Sequence, residues 1–314
     1  ARLMTLYTGG AVHQRYAVLA MNLAGGGGLE IWQYTSRTPQ PPPVPPLLGD
    51  TGIFAVKLRC TNVPAAWSQY RSAGLNLLTE VRRSPEGHRH FFLSDPYDNL
   101  FEVVEDGYRF AARKSPVGGV CGVVIGVSCM QQALSFYQGF LGYDTVAYSG
   151  SGAYADWEGL PGNGAAERVI LRQQGQPKGA FSRLLGPTTI ELVQTRCRPP
   201  AKIFSGRYWG DLGFIHLCYD LSNMEAHERL CAESGFPLTI NSGQSFDMGE
   251  AAGQFAYNED PDGTLIEYVE THKVPLLKKW RWYLDLRRRD RSRALPDWMV
   301  HCMGFGKKSL KGYS

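Results

Sequence analysis

The chain has 314 residues, 43% hydrophobic and 20% charged, the balance of a soluble globule that buries a real core as two ordinary domains or one larger duplicated body. No apolar run approaches the roughly 18 residues needed to cross a bilayer. Of the net charge of +4, eight Lys/Arg between Lys278 and Arg293 against Asp285 and Asp290 make a local excess of 6, leaving −2 for the remainder and excluding a nucleic-acid-binding body.

The first 35 residues read as strands, Arg2 to Tyr7, Tyr16 to Met21 and Leu29 to Tyr34, separated by glycine turns. A proline-rich connector from Pro39 to Pro46 leads to a buried strand at Gly52 to Arg59 and a helix from Val63 to Ala73, stopped by Gly74. Strands follow at Leu77 to Arg82, His90 to Leu93 and Leu100 to Val104. The order β-α-β-β-β begins again at Val120 to Val127, with a helix over Met130 to Phe140 and strands near Ala153 to Trp157, Arg168 to Arg172 and Thr188 to Gln194. A last unit has a strand at Phe214 to Tyr219, a helix at Asn223 to Glu233 and strands ending at Glu267. Beyond Val274, the residues Leu276, Leu277, Trp280, Tyr283, Leu284 and Trp298 predict a basic amphipathic helix pair packed on the body, with docking on an anionic membrane surface as the less favoured role.

The chain is a duplication. Asp95-Pro96-Tyr97-Asp98 before Leu100-Phe101-Glu102 matches Asp260-Pro261-Asp262-Gly263 before Leu265-Ile266-Glu267 at an offset of 165. Gly52 matches Gly213, Gly74 matches Gly235, and Glu30-Ile31-x-Gln33 matches Glu191-Leu192-x-Gln194, all at 161. Residues 118–150 have no earlier counterpart, so the first half is expected to lack its opening strand and helix. The start at Ala1 fits removal of upstream residues, a secretory or transit segment among them, although no signal peptide opens the chain.

Four β-α-β-β-β units, the Asp-Pro-Asp-Gly turn before an Ile-Glu-x-Val-Glu strand, and Phe136-Tyr137-x-x-Phe140-Leu141-Gly142-Tyr143 resemble the vicinal oxygen chelate superfamily, the group of glyoxalase I, extradiol dioxygenases and bleomycin-resistance proteins. The resemblance implies an α+β fold of tandem units in two cup-shaped mixed sheets. The expected divisions are 1–110 (first unit truncated, second unit 50–106), 111–272 (units 118–195 and 210–271) and a helical basic tail, 273–314. It also implies one divalent metal ion, Zn, Ni, Mn or Fe, held on first and last strands. Carried over place by place, the ligands are His216, Glu267 and Glu191. Gly122, at another first-strand place, cannot ligate and departs from the glyoxalase I and dioxygenase patterns.

Strand alternation independently turns His216 away from Ile215, Leu217 and Tyr219, towards the side expected for Glu191 and Glu267. One imidazole and two carboxylates suit such an ion. A histidine merely hydrogen-bonded to Glu267 is the alternative. Glu191 or Glu267 is the expected general base, with Tyr257, Asp156 and Glu158 lining the cup. The first-half places, Glu30, Ala55 and Glu102, are read as structural, and His88 and His90 as a solvated strand end. The implied activity is a glyoxalase-like isomerase or lyase on a small oxygenated substrate, with an extradiol-type dioxygenase or a metal-free binding protein as alternatives. Seven scattered cysteines without C-x-x-C spacing predict reduced thiols and a cytoplasmic location. The only partner expected is the substrate, with a homodimer if the halves pair between chains.

Overall fold

A computed structural model describes residues 2–243, 246–247, 252–277 and 282–303. A 3-10 turn, Arg2–Tyr7, precedes a hairpin of β1 (Arg15–Ala20) and β2 (Leu29–Tyr34). The second unit comprises β3 (Gly52–Cys60), α1 (Val63–Ser72), β4 (Asn76–Leu77), β5 (Arg82–Arg83), β6 (Arg89–Ser94) and β7 (Leu100–Glu105). The third comprises β8 (Val117–Gly126), α2 (Met130–Leu134) with a π-helical extension Ser135–Phe140, β9 (Thr145–Gly152), β10 (Ala166–Arg172), α3 (Ser182–Leu185) and β11 (Thr189–Thr195). The fourth comprises β12 (His216–Leu221), α4 (Met224–Glu233), β13 (Ile240–Asn241), β14 (Phe246–Asp247), β15 (Ala252–Glu259) and β16 (Leu265–Leu277). After it come β17 (Trp282–Asp285) and α5 (Asp297–Met303). Among the described residues no helix is long and apolar enough to cross a membrane.

Local chemistry repeats with the offsets. Asn62 caps α1 by accepting from the Ala65 amide, and Asn223 caps α4 by accepting from Ala226, each at 3.1 Å. Asp95 accepts from the amides of Tyr97 and Asn99, and Asp260 from those of Asp262 and Thr264, closing the same turn twice. Each turn then delivers a last strand in parallel register with its opening strand: Lys57 lies level with Glu102 on β3 and β7, and Cys218 level with Glu267 on β12 and β16.

The strands do not sort by halves. Units two and three share one nine-stranded sheet, ordered β4-β6-β7-β3-β8-β11-β10-β9 with β5 on β6, joined by antiparallel β3 and β8. Unit four makes a six-stranded sheet, β12-β16-β15-β13, with β14 on β15 and β17 on β16. The divisions 1–110 and 111–272 are therefore not the units of pairing. Burial explains why: β8 is apolar on both faces, with Cys121, Val123, Val124 and Ile125 all enclosed, so it is stable only between two strands. The helices α2 and α4 lie in one shared core, where Met130, Phe136 and Tyr137 meet Met224, Ile266 and Tyr268.

Gly122 faces β11 so closely that an added Cβ would lie 2.1 Å from the Thr189 carbonyl oxygen. Gly122→Ala is expected to lower stability by about 1–3 kcal/mol, read from the urea midpoint, because backbone on the far side cannot yield.

Three local expectations change. Arg2–Tyr7 is a 3-10 turn whose Met4 is buried, and Ala155–Trp157 is another, following β9. The described part of the basic tail begins as strand before it turns helical: β16 runs through Leu276 and Leu277, and β17 pairs back on it, Leu284 opposite Val274 and Tyr283 opposite Pro275. That pairing satisfies the backbone and buries Val274 with Leu286, Leu295 and Val300; a 3-10 turn at Leu286–Arg288 and α5 follow it, and Trp298 on α5 is exposed. Trp280 lies outside the described residues.

Candidate metal centre

The hairpin β1–β2 stands against the open side of the six-stranded sheet. Among the described residues neither β2 nor β12 has a strand on its outer edge, where the other sheet has β8 between β11 and β3. The hollow so formed keeps contact with solvent through the exposed Glu30. Into it project Glu30 from β2, His216 from β12 and Glu267 from β16, with one ligand atom of each within 4.8 Å of the others. His216 Nε2 lies 2.9 Å from Glu267 Oε2. Metal–ligand bonds of about 2.0–2.2 Å at right angles set neighbouring ligand atoms roughly 3 Å apart, so this spacing suits two ligands of one ion.

The surroundings fix these groups. Tyr257 donates to Glu267 Oε1 at 2.5 Å, and the Trp32 ring lies 5.4 Å from that of His216. Burial and the Glu267 charge hold the Tyr257 phenol far above the usual tyrosine range, so it remains a donor. Burial pushes Glu267 up, but His216 together with hydrogen bonds from Tyr257 and Cys218 outweighs it and holds the carboxyl below its ordinary value. His216 Nδ1 is buried without a hydrogen-bond partner. Glu30 is exposed and has no cationic partner among the described residues.

The nine-stranded sheet supplies an internal comparison. Its equivalent glutamates are Glu102 and Glu191, and both are neutralised by the Lys57 ammonium, which pairs with Glu102 and lies 2.5 Å from Glu191. Arg168 donates to Asp156 at 2.7 Å and its Nε lies 2.7 Å from Glu191 as an ion pair, and His90 bonds Glu102 at 2.7 Å and lies 3.3 Å from Asp156. Trp157, fully buried, closes this cup, with the Arg168 guanidinium 4.2 Å from its ring centroid. Lys57 occupies the place of Cys218, and Ala55 that of His216. One cup thus carries its own cation on two glutamates; the other sets two glutamates against an imidazole, with the neutral Cys218 thiol where the lysine would be.

Burial lowers the affinity of His90 for a proton, but Asp156 and Glu102 more than reverse this and raise its pKa to about 9. A group raised in the folded state stabilises fully below its unfolded value, near 6.5, and loses that contribution as pH rises through about 9. Thermal unfolding is therefore expected to show stability falling across that interval by a few kcal/mol, since each tenfold change in proton affinity is worth about 1.4 kcal/mol. His90→Gln should flatten the fall.

No protein-family model matches the chain, and no curated protein does. Solved structures do. A provisional dioxygenase from Bacillus subtilis superposes with a TM-score of 0.55 over 82% of this chain and 72% of its own, at 15% identity. A point variant of glyoxalase I from Zea mays gives 0.50 over 82% and 80%, also at 15% identity. The chain has the vicinal oxygen chelate fold.

Within that fold the residues singled out from sequence separate. His216, Glu267 and Tyr257 come together. Glu191 does not join them, because β11 belongs to the nine-stranded sheet, where Arg168 and Lys57 bind it. Asp156 sits in that same closed cup, and Glu158 is an exposed partner of Arg82 at 2.8 Å. His90 is completely buried, not a solvated strand end. The residue missed is Glu30. Its equivalence to Glu191 was visible in the offset of 161; that it serves in place of Glu191 was not.

Proposed function

We propose that Glu30, His216 and Glu267 hold one divalent cation and that the chain is a metal-dependent enzyme of the glyoxalase-like isomerase or lyase kind, acting on a small oxygenated substrate. The observation that carries this reading is the contrast between the cups. Two convergent carboxylates need a positive charge, and where Lys57 supplies it in one cup, the other offers only an imidazole and an open approach. Such an ion supplies a Lewis acid that stabilises negative charge developing on a substrate oxygen. Imidazole and carboxylate donors suit Zn, Mn, Fe or Ni.

The protein's own groups divide the remaining work. Tyr257 fixes the orientation of Glu267 and keeps its second oxygen directed at His216. Glu30, exposed at the mouth and without a cationic partner among the described residues, is the ligand that a bound substrate would displace most easily, and once displaced it would be able to take a proton from a carbon next to a substrate carbonyl and return it. Glu191 has no such part, since its carboxylate is tied to Lys57 and Arg168. Trp32 and Tyr257 form apolar walls that exclude water from the far side of the imidazole.

Elemental analysis of the purified chain, followed by wash-in of solvent deuterium next to the carbonyl of small 2-hydroxy ketones, tests both parts. Retention of one ion per chain and metal-dependent wash-in are expected. An ion-free protein that still binds small molecules would favour the metal-free binding reading. Retention without wash-in or turnover would sink the isomerase reading. An extradiol dioxygenase is not favoured, since the cluster offers one imidazole where that chemistry uses two.

A further inference from the structure

A second cavity, of about 440 Å³, opens where the end of β12 meets the loop after β10 and the turn after β17. Asp220, Ser222 and Glu270 line one side, Lys178 another, and Arg287, Arg289, Arg291 and Arg293 a third. These cations are unequally committed. Arg287 is held by Asp285 at 2.9 Å and Arg293 by Asp290 at 3.4 Å. Arg291 donates to the Ser222 carbonyl and lies 3.6 Å from Glu270. Lys178 and Arg289 form no direct ion pair among the described residues; the Arg289 guanidinium makes only a 3.4 Å bond to the Ala294 carbonyl, although its charge also acts on the adjacent Asp290. Two uncommitted cations lining one cavity make a place for an oxyanion, which guanidinium groups bind with two parallel hydrogen bonds.

The cavity is also in line with the metal centre. His216, Cys218 and Asp220 alternate on one face of β12, and four residues of strand span about 13 Å. Cys218, between the two ends, is exposed, and β12 carries no strand on its outer edge among the described residues.

We propose that this cavity anchors the anionic end, a phosphate or carboxylate, of the molecule whose oxygens reach Glu30, His216 and Glu267. The proposal rests on the reading of that centre given above and narrows its substrate class to two-ended molecules carrying a negative group roughly 13 Å from the reacting oxygens. Asp220 is compatible with an anion nearby: burial, then the Glu270 charge, pushes its carboxyl up to about 7, so that it is substantially protonated at neutral pH.

Titration calorimetry of the full chain with inorganic pyrophosphate in metal-free buffer reads the cavity alone. Binding is expected, weakened about tenfold or more in Lys178→Ala and in Arg289→Ala and tightened in Asp220→Asn. Equal affinity in the wild type and the Lys178→Ala/Arg289→Ala double variant would overturn the site. A second arm compares two hydroxyketone chelators on the Mn²⁺-loaded chain, identical except for a phosphate about 13 Å from the chelating oxygens. The phosphorylated one is expected to bind at least tenfold tighter in the wild type, with the gain lost in Arg289→Ala; equal affinity overturns the anchor. Mn²⁺ retention, followed by equilibrium dialysis, should be unchanged in these variants. Pyrophosphate binding by a chain that retains no Mn²⁺ would remove the metal centre, and with it the two-ended ligand, while leaving an anion site.

Discussion

Replacing Glu30 by Gln, His216 by Ala or Glu267 by Gln is expected to weaken divalent-cation binding by at least about 100-fold, since losing even a supporting partner of a metal ligand costs 10- to 100-fold. The three come from strands far apart in sequence and share one ligand cluster. Equilibrium dialysis with Mn²⁺ or Zn²⁺ gives the comparison, and far-UV circular dichroism establishes that each variant is folded. Glu191→Gln and Glu158→Gln should keep the ion, because the first lies in the closed cup with Lys57 and the second pairs with Arg82 at the surface. If Glu191→Gln lost the ion and Glu30→Gln kept it, the assignment of the cups would be reversed. Tyr257→Phe should have a smaller effect, about 10-fold, as it removes one hydrogen bond to a ligand and no ligand.

Lys57→Met is expected to lower stability by about 3–5 kcal/mol, the cost of taking one partner from a buried ion pair. The side chains of Lys57, Glu102 and Glu191 are almost wholly enclosed. Removing the ammonium leaves Glu102 with His90 alone and Glu191 with Arg168 alone, so carboxylates that now share a cation face each other across the cup. Burial would raise Glu102, yet Lys57 and His90 together keep it well below the ordinary carboxylate range. Urea unfolding measures the loss. The Lys57→Met/Glu102→Gln double variant should recover part of it, because neutralising both partners is cheaper than stranding one. A single variant as stable as the wild type would show that the buried lysine does not serve as the cup's internal cation.

The amino-acid sequence by itself determined the repeating unit, its landmarks and the faces of its strands. The Asp95 and Asp260 turns, the glycines after each helix and the alternation around His216 and Glu267 are local features, and local backbone chemistry acts alike wherever a unit ends up in space. Even the capping asparagines Asn62 and Asn223 obey the offset of 161 that relates Glu30 to Glu191. Only the tertiary structure decided which unit faces which. Glu30 and Glu191 occupy equivalent places on equivalent strands, so alternation cannot choose between them. The choice is made by β8, whose two apolar faces draw units two and three into one sheet and leave β2 to stand across from β12. The tail shows the same limit: spacing that read as helical in Leu276, Leu277, Tyr283 and Leu284 became a strand pair, because β16 offered an edge whose hydrogen bonds β17 could complete.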